Sequence, residues 1–154
     1  MKNKYINDQI RGFLSDPDMI ASLANVSSVI MNNYTDLNWA GFYFVKNDQL
    51  IVGPFQGKPA CSPIPFSKGV CGKCYRDAAT QRIEDVLLIQ DHIACDSASR
   101  SELCVPVIVN GNVIIEIDLD SPIPSRFDED FENEMLEAAK DIASAYLQHN
   151  WSVN

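Results

Sequence analysis

No apolar run in this 154-residue sequence is long enough to span a bilayer, so no membrane role is expected. No apolar core follows the opening Met1-Lys2-Asn3-Lys4-Tyr5, so no signal peptide is expected and the cytoplasm is the expected compartment. Basic stripes are missing too. Twelve Lys and Arg stand against 21 Asp and Glu, a net charge of −9, which repels phosphate backbones and argues against nucleic acid as a partner. Much of the acid lies over residues 128–137, where it reads as a solvated helix face. There is no internal repeat and no linker-like stretch, and the length suits one domain over residues 1–154. Five cysteines is an odd number, and without a secretion signal a disulfide framework is a poor reading. Metal binding, redox catalysis and plain burial remain.

Several elements are readable from pattern. Tyr5, Ile6, Ile10, Phe13 and Leu14 recur at helical spacing. Ser15-Asp16-Pro17 restarts a helix, with Asp16 as N-cap and Pro17 at its first position; Met19, Ile20, Leu23, Val26, Ile30 and Met31 form its apolar face. Residues 39–45 read as a strand, Asn47-Asp48 as a turn, and 49–52 as a second strand. Residues 53–69 hold four of the eight prolines and read as a long, shaped loop of the kind that carries function. A short helix is expected over 70–79 and a short strand over 81–86. Residues 102–109 and 112–120 flank Asn110-Gly111, a strong hairpin signal with a type I′ turn. Ser125 is expected to cap the last helix with Asp128 at the capping-box position, and Phe127, Phe131, Met135, Ala139, Ile142, Ala143 and Tyr146 mark its buried face. This order predicts an α+β domain, a mostly antiparallel sheet flanked by N- and C-terminal helices.

The chemistry concentrates in His92-Ile93-Ala94-Cys95-Asp96 and the following Ser101-Glu102. They set one thiol beside an imidazole and two carboxylates. A thiolate is the reactive form, and His92 and Arg100 could favour it at Cys95. A Cys-His hydrolase would also need an oxyanion partner, and none is evident. Cys71-x2-Cys74 followed by His92-x2-Cys95 has zinc-compatible ligand types and spacing, but lacks the turn-rich knuckle of a structural zinc site. Cys71-x2-Cys74 also has redox-motif spacing, without the preceding strand of a βαβ unit. Cys104, in an apolar strand, reads as a buried, inert thiol. Cys61 lies in the Gly/Pro loop, where a mobile thiol can close a disulfide on a sulfenic acid. Asp118 and Asp120, two apart on a strand, share one face. Counting back through the hairpin sets Glu102 opposite them, so the three acids either titrate as a coupled set or merely cap turn groups.

Six stretches carry a resemblance. They are Leu37-Asn38-Trp39-Ala40-Gly41-Phe42-Tyr43, Gly53-Pro54-Phe55-Gln56-Gly57-Lys58-Pro59-Ala60-Cys61, Lys68-Gly69-Val70-Cys71-Gly72, His92-Ile93-Ala94-Cys95-Asp96, Ser99-Arg100-Ser101-Glu102 and Ile117-Asp118-Leu119-Asp120-Ser121-Pro122. In this order they resemble the free methionine-R-sulfoxide reductases, small enzymes of GAF fold. The resemblance implies a GAF-like α+β domain that reduces free L-methionine-(R)-sulfoxide to L-methionine. It implies Cys95 as nucleophile, Cys61 as recycling thiol and a lesser role for Cys71. It also implies Glu102, Asp118 and Asp120 as pocket carboxylates and Trp39 as pocket aromatic. A carboxylic acid can protonate the sulfoxide oxygen, the acids can hold the substrate ammonium, and backbone N–H groups at Gly69, Val70 and Cys71 can hold its carboxylate. Thioredoxin as external reductant, no metal or organic cofactor, and a homodimer are expected on the same ground. The sequence departs from the family at Leu87 to Asp91 and at Ile115-Glu116, and Cys74 and Cys104 are extra. The alternative reading is a GAF-type small-molecule or redox sensor that binds without turnover.

Overall fold

The computed structural model describes residues 5–90, 92 and 95–154; residues 1–4, Asp91, Ile93 and Ala94, and with them the Asp91 departure and the middle of the His92-to-Asp96 motif, lie outside that set. Helices α1 (Ile6–Phe13) and α2 (Met19–Asn33) lead into strands β1 (Trp39–Lys46), β2 (Gln49–Gly57) and β3 (Ile64–Pro65). Helix α3 (Gly69–Asp77), strand β4 (Gln81–Ile83), the hairpin of β5 (Ser101–Val109) and β6 (Asn112–Ser121), and helix α4 (Glu129–Gln148) follow. The sheet order is β3-β2-β1-β6-β5-β4, and every pair is antiparallel. This is the expected α+β, GAF-like architecture. Among the described residues no helix is long and apolar enough to cross a membrane.

One sheet face carries the main core. Phe42, Leu103, Val105, Val107, Ile115, Ile117 and Leu119 pack with Ile6 and Ile10 of α1, Leu23 and Ile30 of α2, and Phe131, Met135 and Ile142 of α4. The other face packs against α3 through a smaller cluster that includes Trp39, Tyr43, Val70, Cys71, Cys74 and Cys104. Strands buried on both faces lose the polar alternation that would mark one face as wet.

Local chemistry corrects four boundaries. Asp18, not Asp16, caps α2: its carboxylate accepts from Ala21 N at 2.9 Å, while Asp16 accepts from Asp18 N in an Asx turn. Asp128, not Ser125, caps α4, accepting from Phe131 N at 2.8 Å; Ser125 sits at φ 55°, a turn conformation outside the helix. Strand β2 continues through residues 53–57, which shortens the expected loop. The register against β1 slips between Gly41 and Tyr43, a bulge that lets Pro54 lie in a strand without a ladder N–H. The strand expected over 81–86 stops at Ile83, and Val86–Leu88 forms a 3-10 turn whose first N–H groups Asp85 caps through Leu87 N.

Gly41 allows β1 and β2 to close at the bulge, since a Cβ there would stand 2.3 Å from Phe55 Cβ. Gly41→Ala should therefore destabilise the protein by ~1–3 kcal/mol, the usual range for overpacking. A urea-unfolding midpoint unchanged from the parent would contradict this close approach.

Candidate active site

Alternation along β6 builds the site. Ile115, Ile117 and Leu119 enter the main core, so Glu116, Asp118 and Asp120 must point to the α3 side. Directly opposed residues share a face. Glu102 faces Asp120 and Cys104 faces Asp118 across β5–β6, while Trp39 faces Asp120 and Tyr43 faces Glu116 across β1–β6. Acids, thiols and aromatics from three strands are thus collected beneath one helix. They line a pocket whose walls include Trp39, Tyr43, Glu102, Asp118 and Asp120 from the sheet. Gly69, Val70 and Cys71 come from the start of α3, and His92, Cys95, Asp96 and Ser99 from the segment before β5.

Burial dominates the electrostatics. Glu102 and Asp118 are each 5 % exposed and share a hydrogen bond. Loss of water, then the neighbouring Asp118 and Asp120 charges, push Glu102 well above its ordinary value. Asp118 and Asp120 move up for the same first reason. Arg100 pairs with Asp85 at 2.9 Å and Arg126 donates to the Thr35 carbonyl, so neither is committed to these acids, while the nearby His92 partly offsets the rise at Asp118. Asp118 Oδ1 has no hydrogen-bond partner although it is buried. A buried carboxylate oxygen left unpaired costs free energy until a donor arrives. Asp96 behaves differently. Ala98 N and Asn38 Nδ2 donate to it, which lowers its pKa.

Cys61 and Cys95 are joined as a disulfide, with Cα atoms 5.5 Å apart. Cys95 lines the pocket and Cys61 lies behind it on the loop between β2 and β3. Two β1 aromatics hold that loop. Trp39 Nε1 donates to Lys58 O at 3.1 Å and Tyr43 Oη donates to Cys61 O at 2.9 Å. Gly57, at φ 132°, admits the Trp39 ring edge, because a Cβ there would lie 2.7 Å from Trp39 Cδ1. Lys68, the residue before α3, makes no side-chain cap, so the first-turn N–H groups of the helix are open to an acceptor from another part of the site. Cys71 Sγ stands 3.8 Å from Glu102 Oε2.

Of the residues singled out from sequence, Cys95, Glu102, Asp118, Asp120, Trp39, Val70 and Cys71 all reach this pocket, and Cys61 reaches it through its bond to Cys95. The zinc-compatible set is not assembled, because Cys95 is bonded to Cys61 and Cys74 packs instead against Cys104. Tyr43 joins this wall as well, and its four-residue spacing from Trp39 on a strand puts both rings on one face. Ser99 and Asn38 could not be found that way. Their link, Asn38 Nδ2 to Ser99 Oγ at 2.9 Å, joins segments 61 residues apart.

The GAF domain family matches residues 18–146. The chain is 44% identical over 134 residues to the free methionine-R-sulfoxide reductase of Escherichia coli (strain K12), covering 84% of this chain and 81% of that one. Among solved structures, it superposes on the free methionine-R-sulfoxide reductase from Neisseria meningitidis in complex with its substrate. The TM-score is 0.91 at 37% identity, over 94% of this chain and 88% of that one. It also superposes on fRMsr of Staphylococcus aureus in complex with substrate, with a TM-score of 0.87 at 37% identity, over 94% and 97% of the two chains.

The raised carboxylates give stability a distinctive pH dependence. Above the ordinary Glu value of 4.5, the unfolded chain releases the Glu102 proton first and the folded chain keeps it. The native state then binds more protons, so stability falls as pH rises until the folded group ionises too. Glu102→Gln removes this contribution. The loss of unfolding free energy between pH 5 and pH 8 should therefore be smaller in the variant than in the parent. Parallel pH curves for parent and variant in urea titrations would refute the assignment.

Proposed function

The chain belongs to the free methionine-R-sulfoxide reductases, oxidoreductases of GAF fold, and from that premise we propose that it reduces free L-methionine-(R)-sulfoxide to L-methionine, with Cys95 as nucleophile and Cys61 as resolving thiol. The observation that carries this reading is the disulfide between those cysteines at the edge of a pocket floored by buried acids.

A sulfoxide is a poor electrophile until its oxygen is protonated. Glu102 and Asp120, pushed up by burial and by their neighbours, are the acids best placed to supply that proton. Cys95 thiolate attacks the substrate sulfur. The protonated oxygen leaves methionine and ends on Cys95 Sγ as a sulfenic acid, and methionine departs as the thioether. Cys61 thiol then attacks the sulfenic sulfur, water leaves and the disulfide forms. A dithiol reductant of the thioredoxin class restores both thiols by exchange. The balance is one sulfoxide and two thiols giving one thioether, one water and one disulfide. No metal or organic cofactor enters the cycle.

The same acids select a free amino acid. Asp118, with Oδ1 unpartnered, suits the substrate α-ammonium. Backbone N–H groups of Val70 and Cys71 at the uncapped start of α3 suit its α-carboxylate. Trp39, 4 % exposed, offers an apolar wall to the S-methyl end. A peptide-bound residue lacks the ammonium and would leave a buried carboxylate unpaired. The compartment we propose is the cytoplasm, where such a reductant keeps thiols reduced. The homodimer rests on the family resemblance.

Cys95→Ser should abolish consumption of the free R epimer, measured by chromatography of separated epimers with thioredoxin, its reductase and NADPH supplied. Cys61→Ser should retain about one stoichiometric turnover, one sulfenic acid per chain, and lose steady-state cycling. Asp118→Asn should raise KM by about 10-fold or more, as loss of a charge-assisted contact predicts. Turnover of the S epimer instead, or tight binding of the R epimer with no turnover, would sink the proposal and favour a sensor.

A further inference from the structure

The cycle leaves a second group of side chains unused. Deeper on the same sheet face, β5 presents Cys104 and β6 presents Glu116, while α3 presents Cys71 and Cys74 one turn apart. Cys71 is 4 % exposed, and Cys74, Cys104 and Glu116 are 0 % exposed. Cys104 Sγ lies 3.7 Å from Cys71 Sγ and 3.2 Å from Glu116 Oε1. The ligand atoms of Cys71, Cys104 and Glu116 all fall within 4.8 Å of one another. Cys74 Sγ lies 3.7 Å from the Cys104 carbonyl oxygen, at the edge of that set rather than within it.

Three buried thiols could be ordinary small hydrophobes. That account leaves Glu116 unexplained. Its Oε2 is buried with no hydrogen-bond partner, and none of the ion pairs among the described residues includes it. An apolar residue at this position of the sheet would carry no such desolvation cost.

We propose that Cys71, Cys104 and Glu116 form a buried site for one thiophilic divalent cation of the Zn2+ class, held by two sulfurs and one carboxylate oxygen, with Cys74, one helical turn from Cys71, turning its sulfur in as the fourth ligand. Zn–S bonds of about 2.3 Å put two sulfurs of a tetrahedron about 3.8 Å apart, and the Cys71–Cys104 separation is 3.7 Å. With Zn–O near 2.1 Å the sulfur–oxygen edge is about 3.6 Å, so the 3.2 Å contact to Glu116 opens by a few tenths of an ångström. Thiolates favour such an ion over Mg2+ or Ca2+, and Cys71-x2-Cys74 is a chelating pair by spacing. The ligands release their protons to solvent as the ion binds. Cys71 also lines the pocket, which supplies the way in. Its role in substrate binding uses the backbone N–H, which an ion on Sγ leaves in place. The ion would tie α3 to the hairpin under the pocket floor.

The test uses the full chain with the Cys61–Cys95 disulfide intact, so those two sulfurs cannot bind, after treatment with chelator. Titration with Cd2+ should show one equivalent bound and an ultraviolet thiolate-to-cadmium charge-transfer band sized for three sulfurs. Zn2+ should compete for the same equivalent. Cys104→Ser and Cys74→Ser should each weaken Zn2+ binding at least 100-fold, and Glu116→Gln about 10-fold. No stoichiometric Cd2+ uptake by the folded parent chain overturns the proposal, as does equal uptake by the Cys74→Ser and Glu116→Gln variants. Those two decide the matter if Cys104→Ser does not fold.

Discussion

Antiparallel pairing of β5 with β6, which sets Glu102 against Asp120 and Cys104 against Asp118, is the constraint from which the pocket, its acidity and its buried thiols follow. The register starts at Asn110 and Gly111, both at positive φ (52° and 82°), as a type I′ turn needs. Side chains alternate with a period of two, so a one-residue slip would drive Asp118 and Asp120 into the core and expose Ile117 and Leu119. The apolar half of β6 therefore enforces the placement of its polar half. Strand β1 adds Trp39 and Tyr43 through its own register with β6, and those rings anchor the loop that carries Cys61.

Burying several carboxylates together opposes folding, and the opposite face offsets that cost. Ile6, Ile10, Leu23, Ile30, Leu103, Ile115, Ile117, Leu119, Met135 and Ile142 are all fully buried there, drawn from three helices and the central strands. Stability and chemistry are thus divided between the two faces of one sheet. The α3 face can hold buried acids and unpartnered oxygens because it is not the face that supplies most of the hydrophobic burial. An acid that costs stability when empty gains a partner when a cationic group of substrate enters, which makes the same burial a source of affinity and selectivity.

Some parts of this structure were legible because their signals are local. The Asn110-Gly111 hairpin, the aromatic and β-branched run of β1 and the apolar face of α4 follow from turn chemistry and periodicity within a dozen residues. Cap positions were less so. Asp16 and Asp18 are equally good N-cap types, and the choice falls to Asp18 because Asp16 closes the turn before the helix. Ser125 lost its place to Asp128 for a similar reason, as its backbone is committed to a turn whose N–H bonds to Glu84 O. In sequence Gly53 and Pro54 look like breakers at the end of β2, and only pairing with β1 turns them into a bulge.

The sequence by itself determined the reaction chemistry on offer: a thiol in a polar segment, a second thiol in a shaped loop, and acids two apart on a strand. It also determined which side of each strand those groups share, because strand periodicity is a covalent fact of the backbone. Only the tertiary structure decided who meets whom. Cys61 and Cys95 are 34 residues apart and Trp39 faces Asp120 across a sheet, and no local pattern encodes either distance. Glu116 shows the limit most clearly. In sequence it stands only as a departure from the family pattern, and in the structure it is a fully buried carboxylate beside Cys71 and Cys104. Burial belongs to the packed assembly of elements, and it is burial that sets the protonation and ligand character of these groups.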